Sequence, residues 1–524
     1  MSKQNQKSSG SAAEIDALKA TIASQEKEIL ELRRKLERMN EILLNAQRAR
    51  FGQSSEKRVY VLEDGTEQLQ MFNEAEQEQD VKAEEPTPET FTVAEHGRKK
   101  RRSQAELLAE LPVEEVVYEL KGSQLGCPKC NGMLHLIGKE LVRKEMIMIP
   151  AQAKVLHYIS CTYACDCCEK DTGFASIYKS QTPPPLMKHS LASPSSVADV
   201  MAKKYVEGLP LYRQEQAWKR QGVQLSRNTL ANWVIQCSQS WLKPLYKRMK
   251  KHLLEESAIC ADETVVQVLK EEGKPATSES RMWVYASGSQ SERPIRLFEY
   301  QPNRSGEHAR RFLSGFRGLL QTDGYIGYEK VEGVIHCGCW AHARRYWREA
   351  MPKGATKETS KAAVGYEYCN KLFAYERELN KHQGGRYERP RIMGNLLDAY
   401  WAWLDTVNAE SGSKLAAAVT YSKNQRENLC RFLDHIEVDL SNNLAENAIR
   451  PFVVGRKNWL FCDTVKGADS SAIVYSLVES AKANGLDPYS YLLRLLTIMP
   501  ALGKTPPNKK LDELMPWNPK FMSL

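Results

Sequence analysis

A chain of 524 residues, 42% hydrophobic and 27% charged, has enough apolar material for the cores of three or four domains at roughly 150 residues each, which excludes a disordered or fibrous polymer. Its 74 Lys and Arg outweigh 65 Asp and Glu for a formal charge of +9, a balance that favours a polyanionic partner. The opening from Met1 to Ala13 is polar and no run approaches the roughly 18 apolar residues of a membrane span, so the expectation is a cytoplasmic protein without membrane association.

Ile15, Leu18, Ile22, Gln25, Ile29, Leu32, Leu36, Met39, Leu43 and Ala46 alternate three and four apart, a coiled-coil seam within residues 14–50 whose one polar position is Gln25. A second copy is the natural way to bury such a seam, so a homodimer or higher oligomer is expected; packing on the chain's own core is the alternative. Residues 58–105 read as an acidic, aromatic-poor linker ending in the basic cluster Arg98, Lys99, Lys100, Arg101 and Arg102. That cluster is either a solvated run or a phosphate contact.

Six of the 13 cysteines crowd between Cys127 and Cys168. Without an export signal they read as thiols or metal ligands rather than a disulfide frame. Cys127-Pro128-Lys129-Cys130 and Cys165-Asp166-Cys167-Cys168 are two knuckles, and four thiolates from Cys127, Cys130, Cys165 and Cys168 suit a tetrahedral structural Zn²⁺. Cys161 and Cys167 are alternative ligands, as are His135 and His157. With Val155 to Ile159 as a strand, residues 106–180 form a zinc-ribbon-like module.

After Thr182-Pro183-Pro184-Pro185, the stretch from Ser195 to Lys250 holds ten Lys/Arg against three Asp/Glu on helical patterns. Within residues 190–252, a helix from Arg213 to Arg220, a break at Gly222 and a second helix starting at Ser226 read as a helix-turn-helix. Arg227 and Asn228 then stand where side chains reach base edges and backbone amides reach phosphate. An ordinary helical domain with a basic surface is the alternative.

Residues 256–350 open on Ala258-Ile259-Cys260-Ala261-Asp262-Glu263-Thr264-Val265-Val266-Gln267-Val268-Leu269, an apolar strand with a carboxylate inside it. Arg281 to Ser287 and Pro294 to Tyr300 are two more strands of a meander, Ser305 starts a helix running to Phe316, and Leu319 to Tyr325 is a fourth strand ending in Asp323. This order opens an RNase H-like fold, in which the first and fourth strands lie side by side and bring Asp262 and Asp323 together from 61 positions apart. Glu263 is the internal rival to Asp262, because alternation sends the two to opposite faces. Adjacent carboxylates need a cation between them, and hard oxygen ligands favour Mg²⁺ or Mn²⁺. Cys339 and His342, at i and i+3 of a helix start, have no second pair nearby and are assigned a structural role; the neighbouring Arg344 and Arg345 match phosphate bidentately.

Residues 351–434 are a helical insertion. In residues 435–465, Asp439 or Ser441 can cap a helix on which Asn443, Glu446, Asn447 and Arg450 share one face, and Glu446 is the third carboxylate. Arg456 and Lys457 follow with Trp459, two cations beside a ring able to stack on an unpaired base or to pack in the core. Residues 466–524 hold an amphipathic helical pair, Ser471 to Met499, broken at Gly485-Leu486-Asp487-Pro488.

Five ordered segments, Ala261-Asp262-Glu263-Thr264, Thr322-Asp323-Gly324-Tyr325, Cys339-Trp340-Ala341-His342-Ala343-Arg344-Arg345, Asn443-Leu444-Ala445-Glu446-Asn447-Ala448-Ile449-Arg450-Pro451 and Gly455-Arg456-Lys457-Asn458-Trp459-Leu460-Phe461, resemble those of the insertion-sequence-66 family of bacterial DDE transposases. Phe51-Gly52-Gln53-Ser54-Ser55-Glu56-Lys57 is similar to that family too. The resemblance implies a multidomain α+β chain: an RNase H-like mixed-sheet core with a helical insertion, preceded by a coiled coil, a zinc-finger-like module and a helix-turn-helix domain. It also implies that Asp262, Asp323 and Glu446 hold two Mg²⁺ ions about 3.5–4 Å apart, cut transposon ends and join them to double-stranded target DNA. Thr264 and Asn443 would orient those ligands, while Arg227, Asn228, Arg344, Arg345, Arg450, Arg456 and Lys457 would contact DNA. Accessory transposition proteins are further partners it allows for. Residue types and spacing alone support a metal-dependent nuclease or polynucleotidyl transferase. A nuclease that never joins strands and a non-enzymatic zinc-containing DNA-binding regulator are the competing readings.

Overall fold

The computed structural model describes residues 153–165 and 176–519 apart from Lys353, together with two short strands and isolated helical positions between Thr21 and Lys35. The chain separates into two units, residues 45–151 and the remainder. In the first unit the described part is a hairpin of β1 (Val59–Val61) and β2 (Glu67–Leu69), antiparallel with Tyr60 opposite Gln68. The basic cluster at 98–102 and the zinc candidates Cys127, Cys130 and Cys168 lie outside the described residues, and Cys165 is described as backbone alone. Most of the heptad seam lies outside them too; Ile22, which belongs to it, is helical and 54% exposed.

In the second unit, β3 (Thr162–Cys165) and β4 (Ser176–Lys179) form an antiparallel pair. This corrects the expected strand at Val155 to Ile159, which is irregular and holds four large apolar side chains in solvent. β-propensity alone does not make a strand where no neighbour accepts its hydrogen bonds.

Four helices follow. Ser193 and Ser196 cap each other's ends of the first turn of α1 (Pro194–Tyr205), which Pro194 starts. α2 (Leu211–Arg220) stops before Gly222, whose φ of +86° turns the chain, and Ser226 caps α3 (Arg227–Cys237) through the amide of Thr229. A single π-helical turn, Ser238–Leu242, leads into α4 (Lys243–Leu253). Two helices thus flank the turn at Gly222 as the sequence led us to expect, with Ser226, Arg227 and Asn228 exposed at the start of the second.

The central sheet has six strands. β5 (Ala258–Lys270) pairs antiparallel with β6 (Glu279–Ser287), which pairs antiparallel with β7 (Arg296–Gln301). After α5 (Gly306–Phe312) the chain crosses over to β8 (Leu319–Gln321), parallel to β5 on its other side, and β9 (Ile335–Cys337) continues parallel to β8. The order is β7-β6-β5-β8-β9, with β10 (Cys462–Thr464) running parallel to the far end of β5.

The insertion comprises α7 (Lys361–Leu379), α8 (Arg389–Thr406), α9 (Lys414–Asn424) and α10 (Arg426–Cys430), which with the preceding α6 (Trp340–Ala350) enclose a second core, where Trp340, Trp347 and Tyr400 are fully buried. α11 (Asn443–Trp459) returns to the sheet; α12 (Val465–Ala483), α13 (Pro488–Leu502) and α14 (Asn508–Asp512) close the chain. α12 is buried on every side, not amphipathic as its sequence suggested. Its serines explain how polar residues sit there: Ser476 accepts from the amide of Phe298 at 2.8 Å and Ser480 from Arg296 at 2.9 Å, so the helix satisfies the open edge of β7. Helices α1, α3 and α4 share one continuous core with the sheet and α12, through Val197, Met201, Leu230, Leu245 and Met249.

Candidate functional site

Register decides which carboxylates meet. Cys260 pairs with Gln321 at the end of the parallel β5–β8 ladder; two residues further on, Asp262 is still in β5 and Asp323 stands in the turn just past β8. Asp262 is the site's most perturbed acid: burial first, then the charge of Glu263 and those of Asp323 and Glu446, push its carboxyl up to about 7, against a hydrogen bond from the Glu263 amide at 2.8 Å. All three proposed carboxylates are thus within electrostatic reach of one another through Asp262. Asp323 is held by the Tyr325 amide on its Oδ1 (2.8 Å) and by the Tyr421 hydroxyl on its backbone carbonyl (2.9 Å). Gly324, at φ +91°, makes the turn beneath it.

Glu263 is placed differently. Its side chain is 2% exposed, receives the Tyr328 hydroxyl at 2.7 Å and pairs with Arg304 at 2.6 Å. Burial raises its carboxyl and these two partners oppose the rise. Both oxygens are occupied, whereas Asp262 has the Glu263 amide; Asp262 is the better placed to take a ligand.

Glu446 sits in the first turn of α11. The N-cap is Asn442, which corrects the expected Asp439 or Ser441. Asp439 is instead engaged by Arg386 (2.7 Å) and Ser289 (2.8 Å). The Asn442 amide side chain donates to the Ala261 carbonyl at 2.8 Å and fixes the helix start directly on β5, while Gln321 of β8 donates to the Asp439 carbonyl at 2.6 Å. The buried orienting residue is Asn442; the expected Asn443 points to solvent. The helical insertion has a visible task here. Arg389, fully buried and paired bidentately with Glu376, donates to the carbonyls of Phe432, His435 and Val438, and Arg386 to that of Ile436. Two arginines of the insertion therefore hold the loop that delivers Glu446.

Glu446 leans away from the aspartates. Its Oε2 lies 3.4 Å from Arg345 and its Oε1 3.7 Å from His342 Nδ1. Among the described residues, Cys339, His342 and Glu446 are the three whose ligand atoms all lie within 4.8 Å of one another; the three carboxylates do not meet that spacing. Mutual repulsion and the Arg345 cation account for the difference. The chemistry of the carboxylate set still suits a hard divalent cation: three acids, one pushed up by burial and then by its neighbours, with Glu446 Oε1 buried and without a hydrogen-bond partner.

The expected DNA contacts divide. Arg227, Asn228, Arg345, Arg450 and Lys457 are exposed. Arg344 is spent on the insertion, donating to Tyr366 at 3.3 Å and lying over the Tyr366 and Phe373 rings. Arg456 is half-buried, and burial and Arg281 lower its basicity. Trp459 is folded over Gly455, with Lys204 4.2 Å from its ring centre, and belongs to the core. Thr264 is half-buried on β5 opposite Met282.

A profile described as "Transposase IS66 family" matches residues 189–470, more than half the chain and all of the site. The chain belongs to the IS66 transposase family. The IS66 C-terminal element matches residues 476–517, the zinc-finger binding domain of IS66 transposases residues 124–169, and "Transposase C of IS166 homeodomain" residues 38–116. A zinc finger and DNA binding come with membership. Among relatives in Sinorhizobium fredii, the uncharacterized protein y4jD is 29% identical over 78% of this chain and 80% of its own length. The uncharacterized protein y4hP is 27% identical over 90% of this chain and 87% of its own. No described helix of the transposase is long and apolar enough to cross a membrane.

Proposed function

We propose that this transposase cuts the ends of its element and joins them to target DNA at a divalent-metal site made by Asp262, Asp323 and Glu446 on an RNase H-like core. The observation that supports the reading is the parallel pairing of β5 with β8, whose last pair, Cys260 with Gln321, stands two residues before Asp262 and Asp323, while the charges of Asp323 and Glu446 bear on Asp262. The strand order, three antiparallel strands followed by two parallel ones beyond a crossover helix, supports the RNase H-like assignment.

Mg²⁺ or Mn²⁺ held by the three carboxylates would activate a water or a DNA 3′-hydroxyl and stabilise the departing 3′-oxygen. The chain's own residues do the positioning. Tyr421 and the Tyr325 amide hold Asp323, Asn442 anchors the α11 start to β5, and the Glu263–Arg304–Tyr328 cluster keeps β5 in place. Arg345 is exposed beside Glu446 and can pass its guanidinium from carboxylate to phosphate. Arg227 and Asn228 read the duplex from the start of α3. Cys127, Cys130, Cys165 and Cys168 hold Zn²⁺, and the seam in residues 14–50 pairs two copies in the cytoplasm.

Labelled DNA carrying the element's ends, incubated with the transposase, Mg²⁺ and a target plasmid, should give both cut ends and joined product. Asp323→Asn should bind the same DNA and yield neither. Cut ends without joined product would make it a nuclease, and identical behaviour of both proteins would make it a regulator.

A further inference from the structure

Cys339 and His342 lie beside the proposed chemistry without a role in it. We propose that Cys339, His342 and Glu446 form a second cation site that takes a borderline-soft divalent ion, Zn²⁺ by its ligand chemistry, and shares Glu446 with the carboxylate site. Two helix starts build it. Cys339 is the N-cap of α6, His342 follows in its first turn, and Glu446 is in the first turn of α11.

Geometry and unpaired atoms point the same way. The three ligand atoms lie within 4.8 Å of one another. Tetrahedral zinc, with bonds of about 2.0–2.3 Å, holds its ligand atoms roughly 3.3–3.8 Å apart, so a side-chain adjustment of about 1 Å closes the set. His342 Nδ1 and Glu446 Oε1 already stand at 3.7 Å, too far for a hydrogen bond. Both atoms are buried and neither has a hydrogen-bond partner, an arrangement that costs stability unless something joins them. Cys339 Sγ receives the Asn442 amide at 3.1 Å; burial pushes this thiol up to about 11 and the amide opposes the rise, so the thiolate forms on binding the cation, which takes the place of the proton. One thiolate, one imidazole and one carboxylate leave a fourth position open, and a sulfur ligand discriminates against Mg²⁺.

Arg345 is the opposing group. Its Nη1 is 3.3 Å from His342 Nε2 and its Nη2 3.4 Å from Glu446 Oε2, so its charge repels an incoming cation; being exposed, it can swing out. A zinc ion in this site would hold Glu446 away from Asp262 and Asp323 and suppress Mg²⁺-dependent cleavage. That consequence rests on the proposed function; the binding does not.

The test uses the full-length chain with its zinc finger loaded, equilibrated with ZnCl₂, desalted and assayed for zinc by mass spectrometry. Wild type should retain two equivalents per chain, and Cys339→Ser and His342→Ala one each. Added CoCl₂ should give a thiolate-to-cobalt absorption band that Cys339→Ser loses, and Arg345→Ala should bind the second equivalent several-fold more tightly. A single equivalent in wild type, or a second one that survives both substitutions, overturns the proposal. Retention of the first equivalent shows that a variant has folded. Asp323→Asn should keep both equivalents; a wild-type protein that binds two zincs but, once the second is removed by a chelator and Mg²⁺ supplied, still never cleaves DNA would sink the proposed function and leave this site standing.

Discussion

Asp262→Asn should make the metal-free protein more stable while abolishing its response to Mg²⁺. The carboxyl's ordinary value is 3.8 and the folded protein holds it at about 7. The folded state therefore keeps a proton that the unfolded chain has already released, so stability falls as pH rises from about 4 to about 7 and stays low above that. The gap corresponds to about 4 kcal/mol at pH 8, and solvent access and relaxation around a half-buried group reduce it to on the order of 2 kcal/mol. On a unit this large that is roughly 4 °C in Tm. Thermal unfolding of wild type and Asp262→Asn between pH 4 and 8, with and without MgCl₂, reads it directly. The advantage of the variant should shrink to nothing near pH 4, and Mg²⁺ should raise the wild-type transition alone. A variant less stable than wild type at pH 8, or one that Mg²⁺ stabilises equally, would refute the reasoning that burial, with neighbouring acids adding to it, loads this carboxyl.

Arg389→Met leaves Glu376 buried without its partner and frees three loop carbonyls, and should cost about 3–5 kcal/mol, seen as a lowered urea midpoint together with lost cleavage. Gly324→Ala places a methyl 3.0 Å from Gln425 at a φ of +91°, so it should shift the Asp323 turn and cut the cleavage rate at least tenfold while DNA affinity in a gel-shift assay stays within about twofold. Arg227→Ala should weaken DNA binding and reduce the slope of log affinity against log salt by about one, without change in Tm.

The strands were legible because a short apolar run bounded by turns has a local cause: β5, β6, β7 and β8 fall where Ala258, Arg281, Pro294 and Leu319 open such runs. Ser226 and Asp487 likewise mark helix starts through hydrogen bonds to their own first turns. Val155 to Ile159 misled because apolar character does not by itself give pairing, and among the described residues no strand lies against it. α12 misled because its serines look like a solvent face, while in the fold they serve the edge of β7. Asn442 was missed beside Asn443 for the same reason: nothing local distinguishes two adjacent asparagines until one of them finds the Ala261 carbonyl.

By itself the sequence determined which side chains are available, at what spacing and with what chemistry: acids at Asp262, Asp323 and Glu446, a serine cap before Arg227, a cysteine and a histidine at one helix start. Tertiary structure alone decided what each acid faces. Parallel pairing brought the segments of Asp262 and Asp323 together, Arg389 and Arg386 of the insertion hold the loop before Glu446, and Glu446 lies against Arg345 and His342 near Cys339. Spacing and caps act within a few residues, but a charge answers to whatever the fold brings within several ångströms of it, however far away in the chain.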